Sequence, residues 1–84
     1  MKPRFKSLGQ NLKKLRLQVN LSQTEVAVKL GYTGPQFVSN WERGIAAPPM
    51  VCLKRLAKFY KIDGETLFKL TLNEIEKDMR RQFA

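Results

Sequence analysis

Leu21-Ser22-Gln23-Thr24-Glu25-Val26-Ala27, then Leu30-Gly31, then Thr33-Gly34-Pro35, then Val38-Ser39-Asn40-Trp41-Glu42-Arg43-Gly44, spell out two short helices and the turn between them. Ser22 followed three places later by Glu25 is a capping box, in which each side chain satisfies a backbone N–H left open at a helix start. Leu21 stands where a hydrophobic staple would sit. Val26, Ala27 and Leu30 carry the apolar stripe, and Gly31 suits the left-handed residue that closes a helix. Pro35 fits a first helical turn, where its missing N–H costs nothing. A further helix is therefore expected over Pro35–Arg43, with Val38 and Trp41 inward and Gly44 ending it.

On the N-terminal side, Leu8, Leu12 and Leu15 recur at helical spacing among Lys13, Lys14 and Arg16, which predicts a first helix over Ser7–Gln18. On the C-terminal side, Ile45–Pro49 is a loop stiffened by two prolines. A fourth helix follows over Met50–Tyr60, with Leu53, Leu56, Ala57 and Tyr60 on one stripe. Asp63 caps a short fifth helix containing Leu67 and Phe68. Thr71 and Glu74 form a second capping-box pattern, so the chain is expected to restart as a sixth helix through Gln82. Few β-branched residues and few hairpin signals leave an all-α protein. The expected organisation is one domain over residues 1–70 and an amphipathic helix over 71–84.

Composition narrows the chemistry. The 84 residues are 43% apolar, enough for a folded globule, and contain no histidine and one cysteine, Cys52. Histidine acid–base chemistry, an intramolecular disulfide and a cysteine-cluster zinc site are excluded, and a reducing compartment is the expected home. Cys52, beside the fourth helical stripe with no acid–base partner, reads as an inert thiol. No apolar run is long enough to cross a membrane. Acids are few, and no nucleophile–base pair or phosphate-cradling glycine loop is visible, so no enzymatic activity, metal or cofactor is expected. The charge is uneven: Met1–Ile62 holds twelve Lys and Arg against two acids, and Asp63–Ala84 holds four against five. A cationic body attracts polyanions, and neutralising phosphates releases counterions from nucleic acid. Spread over several helices, these bases do not form the single basic amphipathic face that lies on membranes.

Two helices joined by so short a turn form a helix-turn-helix, where one helix crosses the DNA backbone and the next enters the major groove. The residues quoted above, with Leu53, Leu56-Ala57 and Ile62 downstream, resemble the phage-repressor (Cro-like, XRE-type) helix-turn-helix family over about Leu8–Phe68. The resemblance implies a five-helix lambda-repressor-like DNA-binding domain, here with a C-terminal helical extension. It also implies that Gln23 touches a DNA phosphate and braces the recognition helix. Gln36 and Asn40 match base-reading positions, and Ser39 a neighbouring DNA-facing one. Independently, Gln and Asn can pair bidentately with adenine N6 and N7, and a spacing of four puts both on one helix face. Arg16 and Glu42 match a pair that bridges the first helix to the end of the third, and their role is structural.

Phe37 is left with two readings, packing against the second helix or contact with a thymine methyl. Arg43 can complement the helix dipole or reach a phosphate. Lys14 is a candidate backbone contact, as are Lys2, Arg4, Lys6 and Lys13. The segment Gly31–Trp41 is one residue longer than the common family pattern, and Gly34-Pro35 occupies positions that often carry polar readers. Thr33 thereby offers its hydroxyl to a phosphate.

Beyond the domain, Leu72, Ile75, Met79 and Phe83 recur at three- and four-residue steps. This stripe either folds back or pairs with a second copy, and pairing is the expectation, because family members usually bind two-fold operators as dimers. The expected function is sequence-specific binding of double-stranded DNA by a cytoplasmic, nucleoid-associated transcriptional regulator, a repressor acting as a homodimer. The alternative is an antitoxin or adaptor that binds a regulatory protein partner and DNA only secondarily. RNA binding is disfavoured by the lack of exposed aromatic stacking platforms.

Overall fold

Both halves of the capping box at Ser22 are made: its hydroxyl accepts from the Glu25 N–H at 3.0 Å, and the Glu25 carboxylate accepts from the Ser22 N–H at 2.9 Å. In the computed structural model, which describes residues 3–84, that box opens the second of five helices. They are α1 (Lys6–Gln18), α2 (Gln23–Leu30), α3 (Gln36–Glu42), α4 (Met50–Phe59) and α5 (Gly64–Phe83). No strand occurs among the described residues, and none of their helices is long and apolar enough to cross a membrane. Lys2 lies outside the described residues. Gly31 closes α2 in the left-handed conformation, its N–H and that of Tyr32 reaching back to Val28 and Ala27. The α3 helix begins one residue later than expected, because Pro35 occupies the cap position rather than the first turn.

The core gathers the inward stripe of every helix. Leu8 and Leu12 come from α1, Val26 from α2, Val38 and Trp41 from α3, Leu56 from α4 and Leu67 from α5, all 3% exposed or less. Full burial of one such aliphatic side chain is worth about 1.5–3 kcal/mol. The tightest approach is between α1 and α3. A Cβ on Gly9 would stand 2.5 Å from the Glu42 carbonyl oxygen and 2.7 Å from that of Trp41. The N–H of Phe5, just before α1, donates to the Gly44 carbonyl at 2.8 Å, so the chain enters α1 from the end of α3.

The expected break before Thr71 is absent, and the fifth and sixth helices are one 20-residue helix. Asp63 caps its start by accepting from the Thr66 N–H. Thr71 is 2% exposed and its hydroxyl donates to the Leu67 carbonyl one turn back at 2.8 Å. A threonine that bonds within the helix does not need to begin one. No glycine or proline interrupts Leu67–Glu74, so nothing in the backbone stops the helix.

The face that α5 turns inward beyond Leu67 is also not the apolar one. Thr71, Glu74 and Asp78 are buried, whereas Leu72 and Met79 are half-exposed and Phe83 is 90% exposed. Only Ile75 of the stripe packs against the core. Asp78 is held by the Arg4 guanidinium, with Nε at 3.1 Å, and Arg81 donates to the Arg4 carbonyl at 3.0 Å. The hydrogen bond from Arg4, reinforced by its charge, holds the Asp78 carboxyl below the usual range despite burial.

Because α1 meets the α3 backbone at Gly9, Gly9→Ala forces the two helices apart. Overpacking of this kind costs about 1–3 kcal/mol, read as a lower urea midpoint. An unchanged midpoint contradicts the close approach.

Candidate nucleic-acid interface

One carboxylate ties three helices together. Glu42, on the last turn of α3, receives the Arg16 guanidinium of α1 as a fork: Nε to Oε2 at 2.6 Å and Nη2 to Oε1 at 3.0 Å. The Gln23 amide, at the start of α2, donates to the same Oε1 at 2.9 Å. The third arm of Arg16 donates to the Leu21 carbonyl at 2.8 Å, in the turn between α1 and α2. The Arg16 and Glu42 side chains are only 9% and 4% exposed. Hydrogen bonding to Glu42 raises the Arg16 pKa above its ordinary value against the opposing effect of burial. Desolvation consumes much of what such a pair gains, so its value lies in fixed geometry.

With Val38, Trp41 and Glu42 turned inward, the opposite side of α3 is open. Gln36, Phe37 and Arg43 are exposed, and Ser39 and Asn40 are half-buried. Gln36 folds toward Gly34, where a Cβ would stand 2.7 Å from its Oε1, so the glycine gives the amide room. Asn40 Oδ1 accepts from Arg43 Nη2 at 2.6 Å. An amide oxygen has two lone pairs, so this bond orients the Asn40 carboxamide and leaves one acceptor site. Thr33 is exposed in the turn and Lys14 on the outer side of α1.

Phe37 packs sideways. Its ring lies 4.7 Å from that of Tyr32, tilted by 32°, and Tyr32 meets Trp41 edge-on at 6.1 Å. The Tyr32 hydroxyl is 3.4 Å from Cys52 Sγ, which raises the phenol pKa through that hydrogen bond and burial. Cys52 is thus buried as the partner of an aromatic.

The family resemblance pairs Arg16 with Glu42 and makes Gln23 a brace of the third helix, and the structure brings all three to one carboxylate. Sequence reasoning does not foresee Tyr32 as the prop beneath Phe37, nor Arg55, whose guanidinium donates to the Lys29 and Leu30 carbonyls and closes the end of α2. The Asn40–Arg43 bond had a signal in its spacing of three, which puts both on one helix face.

A family model described as helix-turn-helix matches residues 12–67, two thirds of the chain and most of the five-helix body. The protein belongs to the XRE-type, Cro-like helix-turn-helix family of DNA-binding regulators. Its all-helical architecture agrees with the lambda-repressor-like fold. A second model, described as Fur-regulated basic protein A, matches residues 55–81 and is a similarity of that segment alone. No curated protein matches the chain.

Removing the charge at the junction exposes its cost. Glu42→Gln leaves the buried Arg16 guanidinium without its counter-ion, a loss of about 3–5 kcal/mol. The paired replacement Arg16→Met with Glu42→Leu is expected to be less destabilised than Glu42→Gln alone in urea titrations. The reverse order contradicts the desolvation argument.

Proposed function

We propose that this helix-turn-helix protein is a sequence-specific transcriptional repressor that inserts α3 into the major groove of double-stranded DNA and binds a two-fold operator as a homodimer. The observation that carries this reading is the open polar face of α3. Gln36, Ser39 and Asn40 lie opposite Val38 and Trp41, and α5 packs on α4 and α1. Gln36 and Asn40 each have the amide that pairs with adenine through N6 and N7. Gln23, Thr33, Arg43 and Lys14 contribute phosphate contacts that set orientation without reading sequence. Gln23 does so with its amide already anchored on Glu42, so a phosphate contact at α2 is transmitted to the position of α3.

Homodimerisation is supported by the outward stripe of α5. Leu72, Met79 and Phe83 stand exposed on a rigid helix, with Ile75 at its base. The stripe serves equally as the docking face of a protein antitoxin or adaptor, and this is the second reading. A cytoplasmic, nucleoid-associated location follows from the DNA partner.

Selection from random duplexes is expected to return a palindromic preference. Gln36→Ala and Asn40→Ala are each expected to lose about 1–3 kcal/mol at that site while binding random DNA as before. Equal losses on both DNAs contradict base reading. In sedimentation, the native chain is expected near twice 9.7 kDa, and Met79→Glu with Phe83→Glu near the monomer mass. A monomeric native chain removes the homodimer and favours the adaptor reading.

A further inference from the structure

Phe37 is the residue of α3 that the polar reading does not use. Its ring is 53% exposed on the second residue of the helix, next to Gln36. A phenyl group serving only as core would be expected to lie beneath Tyr32. Here Tyr32 already closes over Trp41, and Phe37 lies against Tyr32 from outside. The three rings make a graded stack from the buried Trp41, 3% exposed, through the half-buried Tyr32 to the open Phe37. Such a stack holds the outer ring in one place, and an immobilised ring loses little entropy when it makes a further contact.

Its direction is also set. At about 100° per residue, Phe37 lies a quarter turn round α3 from Gln36. The Gln36 position lies opposite Val38 and Trp41, on the exposed face of α3 proposed to meet the base edges, so Phe37 flanks that face and stands toward the side wall of a groove that α3 enters. On a pyrimidine, C5 lies between the exocyclic group used in pairing and the sugar, so a C5-methyl projects at that wall. It is also the apolar group that the major groove presents, and aromatic side chains are suited to contact it.

We propose that Phe37 reads the C5-methyl group of a pyrimidine beside the base pair addressed by Gln36. The operator then contains a thymine at that step. 5-Methylcytosine, which carries the same methyl, is accepted better than cytosine there, so cytosine methylation raises affinity. This rests on α3 being the base-reading helix.

The experiment is a uracil scan of the operator selected from random duplexes. Replacing thymine by uracil removes the methyl and leaves every hydrogen-bonding group in place, so the amides of Gln36 and Asn40 are undisturbed. For the native protein, one thymine in each half-site is expected to show a loss of about fourfold on conversion to uracil, the contribution of one buried methyl-sized group. At the same step, 5-methylcytosine is expected to bind more tightly than cytosine by a similar factor. Phe37→Ala is expected to bind thymine and uracil operators equally while keeping its affinity for random DNA. Phe37→Ser serves in its place if the alanine variant does not fold.

A preferred site that depends on Gln36 and Asn40 but shows no uracil effect at any thymine overturns the assignment and leaves base reading by α3 intact. A uracil effect that survives in both Phe37 variants assigns the methyl contact to another residue and also overturns it. Failure to select any preferred site removes the base-reading proposal itself, and the role of Phe37 with it.

Discussion

The position of α3 depends on the Glu42 carboxylate. Arg16 reaches it from α1, Gln23 reaches it from α2, and Arg16 also holds the turn that links those two helices. The α3 helix has seven residues, too few to be stable by propensity alone, so its direction comes from what holds its ends and its inner face. Val38 and Trp41 anchor the inner face in the core, and Glu42 fixes the rotation about it. A purely apolar contact resists separation but tolerates sliding, whereas a forked ion pair with a shared amide does not. Under the proposed function, in which α3 aligns two amides with base edges, the second kind of restraint is the one required. The close passage of Gly9 against the carbonyls of Trp41 and Glu42 serves the same end, because it leaves α1 and α3 no slack.

The C-terminal half of α5 inverts the usual partition. Its buried positions beyond Leu67 are Thr71, Glu74 and Asp78, and its larger apolar groups Leu72, Met79 and Phe83 face outward. Two of these inward polar groups have definite partners. Thr71 bonds within the helix, and Asp78 binds the guanidinium of Arg4. The N-terminal segment therefore provides part of the surface on which the helix lies, through Arg4 and through the Arg81 bond to its carbonyl. Polar contacts of this kind help to place the helix beside Ile75 without using Leu72, Met79 or Phe83, and those three remain as an outward stripe.

Most of the fold was legible because the signals were local. Ser22 and Glu25 made both capping bonds, Gly31 took the left-handed conformation, and the stripes at Leu8 and Leu12, Val26, Val38 and Trp41, and Leu56 reached the core. The misreading at Thr71 shows where local pattern runs out. The same threonine–glutamate spacing suits a helix start or a helix interior, and only the buried Leu67 carbonyl partner distinguishes them. Periodicity found the stripe of α5 but assigned no direction to it, because a helix with both an apolar and a polar stripe can bury either. At the candidate site, the sequence pointed to residue types and faces. The Arg16–Glu42 pair and the bracing role of Gln23 came from the family pattern, whereas the Gln23 bond to Glu42 and the Tyr32 prop beneath Phe37 had no sequence signal, since contact across a turn has no fixed spacing.

The charge that first suggests a polyanion partner is not on the face that would read it. Around α3 the cation is Arg43, whose guanidinium is engaged with Asn40, while α1 carries Lys6, Lys13 and Lys14 and α4 carries Lys54, Arg55 and Lys58. In an attraction between a cationic body and a phosphate polymer, charge at several ångströms still counts, because screening at physiological salt acts over about 8 Å. Base discrimination, by contrast, depends on contact, and a lysine placed there would attract every sequence alike. Under the proposed function, a face of amides and one aromatic ring contributes little to indiscriminate affinity, and the cations on the other helices supply encounter without selecting sequence. Under the same proposal, that separation lets a strongly basic chain keep an uncharged amide face on α3, and its net charge alone is a poor guide to where it would touch DNA.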